Sequence, residues 1–128
     1  MNKFLSFLIL GFLVVATMTS FNKHNFNTFK KQDPFVIPEH ISAIFDKSCY
    51  GCHNSESSNE KAKATLMIDK LGDLKKSKLS SKLSKIVWEL ENRKMPPKKF
   101  AANYPDKIPS VEETTTLIDW AEVAKESL

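Results

Sequence analysis

Cys49 and Cys52 are the only cysteines in the 128-residue chain, and His53 directly follows the second. A Cys-x-x-Cys-His sequence arises by chance in roughly one chain in a thousand of this composition. On a helical turn, residues at i, i+3 and i+4 share a face, so both thiols and the imidazole project to the same side. This arrangement is typical of haem attachment, in which the thiols bond two vinyl groups and the imidazole binds the iron. We predict one covalently attached haem c per chain.

Three other uses of these residues compete with haem attachment. A disulfide between Cys49 and Cys52 would close so short a loop that it would gain little stability. A thioredoxin-type redox pair is expected within a βαβ unit, which the sequence does not indicate. A zinc site would need four ligands, and only His24 and His40 remain to complete the set. Haem attachment remains the favoured interpretation.

Met95 is the predicted second axial ligand of the iron. It lies 42 residues after His53 and is followed by Pro96 and Pro97. A thioether in a stiff loop that cannot continue a helix can be held over the open face of the haem. Met67 is the nearest rival, but it lies in an apolar run where packing explains it. A second histidine, or an open or water-bound iron, are the alternatives for this position.

The pattern of apolar residues indicates three or four helices and no strands, which predicts a small all-α domain. The first helix should begin near Pro38 and run toward Cys49. A second helix, capped by Ser80 or Ser81, should end before Met95. The last helix should begin at Ser110 with a capping box closed by Glu113. Both tryptophans, which are Trp88 and Trp120, lie in apolar helical patterns and are expected in the core.

The N-terminal residues differ from the rest of the chain. Lys3 precedes a 13-residue, mostly apolar run over residues 4–16, which predicts a signal peptide over residues 1–20. The run is short for a membrane span. An uncleaved N-terminal anchor is the alternative, and it would associate the protein with a membrane. Residues 21–36 are predicted to be a tether and residues 37–128 the haem-binding domain. The expected location is periplasmic or otherwise extracytoplasmic.

The charge balance excludes one class of partner. Without its first 20 residues, the chain has 18 basic and 15 acidic residues. This weak positive charge is far from the basic stripe typical of nucleic-acid binders. The lysines that crowd residues 70–85 and flank Met95 are interpreted first as a solvated surface in a lysine-rich chain. The alternative is that they attract an acidic redox partner.

The chain resembles the bacterial cytochrome c-like haem-binding domain family over residues 36–124. The resemblance is carried by three segments, which are Ser48 to His53, Lys94 to Pro97, and Ser110 to Trp120. It implies the cytochrome c fold, with Cys49 and Cys52 as thioether anchors, His53 as proximal ligand, Met95 as distal ligand and Trp120 as a packing residue. The chain departs from the family pattern over residues 55–63, which are polar rather than rich in Trp, Pro and Tyr.

The expected function is electron transfer by an iron that cycles between Fe(II) and Fe(III) with His/Met ligation. Filling both axial positions leaves no site for a substrate, so the protein is not expected to be an enzyme. Its partner would be a redox protein that the sequence does not identify. Two alternatives remain open. One is a peroxidase or a gas or redox sensor with a labile or absent methionine ligand, and the other is a structural haem module of a larger complex.

Overall fold

The computed structural model describes residues 34–128, and this part of the chain is helical without a β-strand. The all-α prediction is confirmed, and residues 34–128 contain five α-helices rather than three or four, because two short helices join the three long ones. The predicted signal peptide and nearly all of the predicted tether lie outside the described residues. The helices are α1 (Glu39–Ser48), α2 (Glu60–Thr65), α3 (Lys76–Glu91), α4 (Lys98–Asn103) and α5 (Val111–Glu126), and the 3-10 helices are Ile68–Asp73 and Pro105–Lys107.

Among residues 34–128, no helix has both the length and the apolar character needed to cross a membrane.

The hydrophobic core lies where α3 and α1 pack against α5. Each of the three helices buries one apolar stripe, as its helical spacing predicts. Fully burying one large aliphatic side chain contributes about 1.5–3 kcal/mol, so these stripes supply most of the packing energy. The side chains that are completely inaccessible to solvent are Ile41, Leu71, Leu79, Leu83, Leu117 and Ala121.

Two aromatic contacts place the C-terminal helix on the N-terminal one. The Trp120 ring packs edge-on against Phe45 with their centroids 5.6 Å apart, which confirms Trp120 as a packing residue. The centroid of the Phe35 ring lies 6.1 Å from that of Trp120. Phe35 therefore packs on α5, although it falls within the predicted tether. Gly72 allows the backbone of Phe35 to pass close by, because a methyl group at position 72 would lie 3.0 Å from the Phe35 carbonyl oxygen.

Helix α5 begins as predicted. The Ser110 hydroxyl accepts a hydrogen bond from the Glu113 amide, and the Glu113 carboxylate accepts one from the Ser110 amide. Lys47 Nζ of α1 lies 2.7 and 2.9 Å from the two carboxylate oxygens of Glu113. The contact with Lys47 is the largest cause that lowers the pKa of Glu113 below its usual range, and the hydrogen bond from the Ser110 amide is the next. Their stabilising effect is therefore lost as the pH falls through that lowered pKa.

Two expectations for α3 are wrong. The helix begins at Lys76, so Ser80 and Ser81 lie within it and do not cap it. Leu79, which is fully buried, extends the apolar stripe one turn toward the N-terminus, and this packing offsets the lack of a capping side chain. Trp88 is 51% exposed and does not lie in the core.

Candidate functional site

The two cysteines and the histidine follow α1 without a break. The Cys49 amide donates to the Phe45 carbonyl oxygen at 2.8 Å, which continues the hydrogen bonding of the helix. The Cys49 carbonyl oxygen then accepts from the amides of Cys52 at 3.1 Å and His53 at 3.0 Å. These bonds close the single turn that the spacing predicted. Because α1 is anchored by buried Phe45, the turn is held against the core.

The imidazole of His53 is oriented through one of its two nitrogens. Nδ1 lies 3.2 Å from the carbonyl oxygen of Ala62 and 3.3 Å from that of Leu66. A carbonyl oxygen only accepts, so Nδ1 carries a proton, and in the neutral ring the lone pair is on Nε2. The backbone is also held, since the Ile68 amide donates to the His53 carbonyl oxygen at 2.9 Å. The contact at Nδ1 is the orienting contact that metal-bound histidines usually have, and it leaves Nε2 free of these carbonyl groups.

The polar segment after His53 supports this histidine. The amide and hydroxyl of Ser55 both donate to Asp69, and the hydroxyl contact comes first among the causes that lower the pKa of Asp69. Buried Ser57 accepts from the Asn59 amide, and the Asn59 side chain caps α2 by accepting from the Ala62 amide. These bonds fix α2, which carries the carbonyl oxygen that faces His53 Nδ1. The polar side chains of residues 55–63 therefore have a structural role, which is to position α2 beside His53.

The two thiols are free and half-buried. Burial raises the pKa of the Cys49 thiol to about 12, and the neighbouring Cys52 adds to the rise. Reactive redox cysteines and zinc ligands need the thiolate, which this environment disfavours. Among residues 34–128, which do not include His24, no group of three or more His, Cys, Asp and Glu residues could hold a metal ion. The raised pKa of the Cys49 thiol by itself disfavours the redox-pair and the zinc interpretations.

Met95 is placed by the way α3 ends. The Lys94 amide donates to the Glu89 carbonyl oxygen at 2.8 Å and the Arg93 amide to that of Leu90 at 3.0 Å. This pair of bonds is a Schellman motif, in which Arg93 takes the left-handed position with φ of 52°. The Met95 amide also approaches the Glu89 carbonyl oxygen, at 3.4 Å. The reversal brings Met95 back to the face of α3 that borders the site.

Replacing Arg93 with glycine is expected to raise the free energy of unfolding by up to about 1 kcal/mol. A left-handed conformation costs a residue with a Cβ about 1–2 kcal/mol, and the greater freedom of glycine in the unfolded chain offsets about half of that. Urea unfolding would measure the change. Ser84→Gly, at an exposed position within α3, is the matched control and should lower stability by about 0.5 kcal/mol. A loss of stability in Arg93→Gly would contradict the role assigned to this turn.

The predicted site residues line one cleft with two sides. The loop side has a volume of about 560 Å³, within the range of cofactor sites, and Cys52, Pro96, Pro97, Phe100 and Tyr104 are among its walls. The core side is bordered by buried residues of the long helices, including Phe45, Ile86 and Leu117. The two sides adjoin, because the same five residues line both: Cys49, His53, Thr65, Leu90 and Met95.

The rival ligands lie elsewhere or outside the described residues. His40 is exposed on α1 and Met67 is 38% exposed after α2, and neither borders the cleft. His24 is not among the described residues. The cleft therefore combines two thiols, an imidazole with an available Nε2 and one thioether between apolar walls. This donor set fits a haem.

One wall of the cleft was missed by the sequence analysis. Phe100 of α4 packs at a tilt against Tyr104, which directly follows the helix, with their ring centroids 5.1 Å apart. Lys107 Nζ lies 5.8 Å from the Tyr104 ring centroid. The only signal was the i, i+4 spacing of the two aromatic residues, which is typical of contact on a helix. The surrounding prolines, which are Pro97, Pro105 and Pro109, favoured a loop instead.

Comparison with known proteins supports the same cofactor independently. A family model described as a haem-binding domain matches residues 57–123, which is more than half of the chain. The match begins after His53, so it does not depend on the Cys-x-x-Cys-His sequence. Searches of curated proteins and of solved structures gave no match. The chain therefore belongs to the haem-binding domain family, as its resemblance to cytochrome c-like haem-binding domains indicated.

Proposed function

We propose that this protein is a monohaem c-type cytochrome that transfers electrons outside the cytoplasm. The observation that carries the proposal is the convergence of Cys49, His53 and Met95 on one cleft, although Met95 is 42 residues further along the chain. Haem binding itself follows from the family. Covalent attachment and the choice of ligands rest on the side chains that line the cleft.

Each residue has a separate role in this proposal. Cys49 and Cys52 would hold the haem by adding their S–H bonds across its two vinyl groups, which would form two thioethers and release nothing. His53 would bind the iron through Nε2, while its Nδ1–H is held by the carbonyl oxygens of Ala62 and Leu66. Met95 would supply the second ligand through its thioether sulfur. Bound in this way, haem supplies a one-electron redox couple whose potential is raised by the methionine ligand.

Filling both axial positions favours electron transfer over catalysis. The chain's own contribution is then to exclude water and hold the ligands, which keeps the geometry constant when the charge of the site changes. The helices do this with buried side chains such as Ile86, Leu90 and Leu117 along the cleft. Residues 1–20 are proposed to direct export, and the electron donor or acceptor is proposed to be another redox protein.

The test is to express the full chain in a host that matures and exports c-type cytochromes. A denaturing gel of the exported protein should stain for haem. The ferric protein should be low-spin, show the weak methionine–iron band and resist added cyanide for minutes. A gel band without haem would refute covalent attachment. Cyanide binding within seconds would refute stable methionine ligation and favour the alternative of a peroxidase or gas sensor.

A further inference from the structure

Two lysines border the core side of the cleft, where most of the walls are apolar. Lys82 is half-buried and Lys85 is exposed, and both belong to α3. They are three residues apart, so they lie on the same face of the helix, one turn from each other. Glu89 is the only acidic residue on this side of the cleft. The core side therefore has two ammonium groups and one carboxylate at the border of a mostly apolar surface.

Neither ammonium group is saturated by the contacts that the structure shows. Lys82 Nζ donates to the carbonyl oxygen of Thr65, and Lys85 Nζ lies 3.5 Å from a carboxylate oxygen of Glu89. An ammonium group has three hydrogens to donate. Each lysine can therefore bind a further acceptor at the border of the cleft.

The positions of the two thiols indicate which edge of a bound haem would face these lysines. The two vinyl groups of haem lie on adjacent pyrrole rings, and its two propionate carboxylates lie on the other two rings. Cys49 borders both sides of the cleft, whereas Cys52 borders only the loop side. Attachment to both thiols would therefore place the vinyl edge toward the loop side and the carboxylate edge toward the core side.

We propose that Lys82 and Lys85 bind the two propionate carboxylates of the haem. This inference rests on the position of haem given by the proposed function. Two carboxylates that enter an apolar cleft need cationic partners, because an unpaired buried charge is costly. The lysines that border the loop side, which are Lys47, Lys61, Lys99 and Lys107, share that side with both thiols. The proposal therefore does not assign the propionate carboxylates to them.

Isotope-edited infrared spectroscopy of the holoprotein tests this assignment. Cells are fed 5-aminolevulinic acid labelled with ¹³C at its carboxyl carbon, which labels the propionate carboxylates. Lys82→Gln and Lys85→Gln are each expected to shift a carboxylate stretching band. Lys78→Gln, an exposed lysine of α3 that does not border the cleft, should leave both bands in place. Unchanged bands in both variants, or a shift in Lys99→Gln or Lys107→Gln instead, would overturn the proposal.

A second experiment does not require covalent attachment. A Cys49→Ala, Cys52→Ala chain is titrated with iron protoporphyrin IX and with its dimethyl ester, followed by absorbance. The free acid should bind about tenfold or more tightly than the ester, as expected for charge-assisted hydrogen bonds. Adding Lys82→Gln and Lys85→Gln should remove this preference. Equal affinities in the chain that keeps both lysines would refute the proposal, whatever the outcome for attachment or electron transfer.

Discussion

Replacing both Cys49 and Cys52 with alanine is expected to abolish haem staining of the denatured protein completely. The only thiols of the chain are then gone, so no thioether can form. Each single replacement leaves one thiol beside the cleft and should allow at most one thioether. The pyridine haemochrome spectrum measures this directly, because its main band moves with the number of vinyl groups that remain unsaturated.

Ser48→Ala is the matched control for the cysteine variants. Ser48 is buried beside Cys49, and its hydroxyl has no hydrogen-bond partner among the described residues. Removing an unpaired buried hydroxyl should leave stability unchanged or slightly higher. Its haem staining should equal that of the wild type. Staining that persists in the double cysteine variant would show that haem is held by another covalent bond.

Met95→Ala is expected to retain covalent haem and lose the low-spin ferric spectrum. The weak methionine–iron band should disappear, cyanide should bind at once, and the reduction potential should fall because methionine ligation raises it. Alanine removes the thioether without disturbing the turn, since the Schellman bonds use the backbone of Glu89, Leu90 and Lys94. Absorption and redox titration measure all four changes.

Met67→Ala is the control for this variant. Met67 is the other methionine of the described chain, and it is 38% exposed and away from the cleft. Its replacement should leave the spectrum, the cyanide response and the reduction potential as they are in the wild type. If Met95→Ala also left them unchanged, Met95 would be removed from the ligand set. If Met67→Ala changed them, the ligand would be Met67.

The helices that could be predicted are those whose signals lie within a few residues. Ser110 and Glu113 begin α5 with a capping box because both partners are three residues apart and need no tertiary contact. The end of α3 before Met95 was also predictable, since proline disfavours a helical conformation in the residue before it. The start of α3 was not, because buried Leu79 outweighs the missing cap only once α5 packs against it.

Residue exposure was less predictable than helix type. Trp88 and Trp120 both lie in apolar helical patterns, yet Trp120 packs on Phe45 and Trp88 is 51% exposed. The pattern shows which face of a helix is apolar, and it does not show how far the neighbouring helix covers that face. Helix α4 was not predicted, because its i, i+4 aromatic pair, Phe100 with Tyr104 directly after the helix, is set among prolines.

The local part of the site was determined by the sequence itself. Cys49, Cys52 and His53 lie within five consecutive residues, so the one helical turn that the structure shows is enough to put them on one face. The tautomer of His53 depends instead on Ala62 and Leu66, which α2 and the segment after it bring to Nδ1. Met95 and Lys82 reach the same cleft only because α3 packs in the core and reverses at Arg93. The residues proposed for attachment belong to one local segment, whereas the proposed methionine ligand and the lysines proposed for the carboxylates reach the cleft through contacts between distant segments.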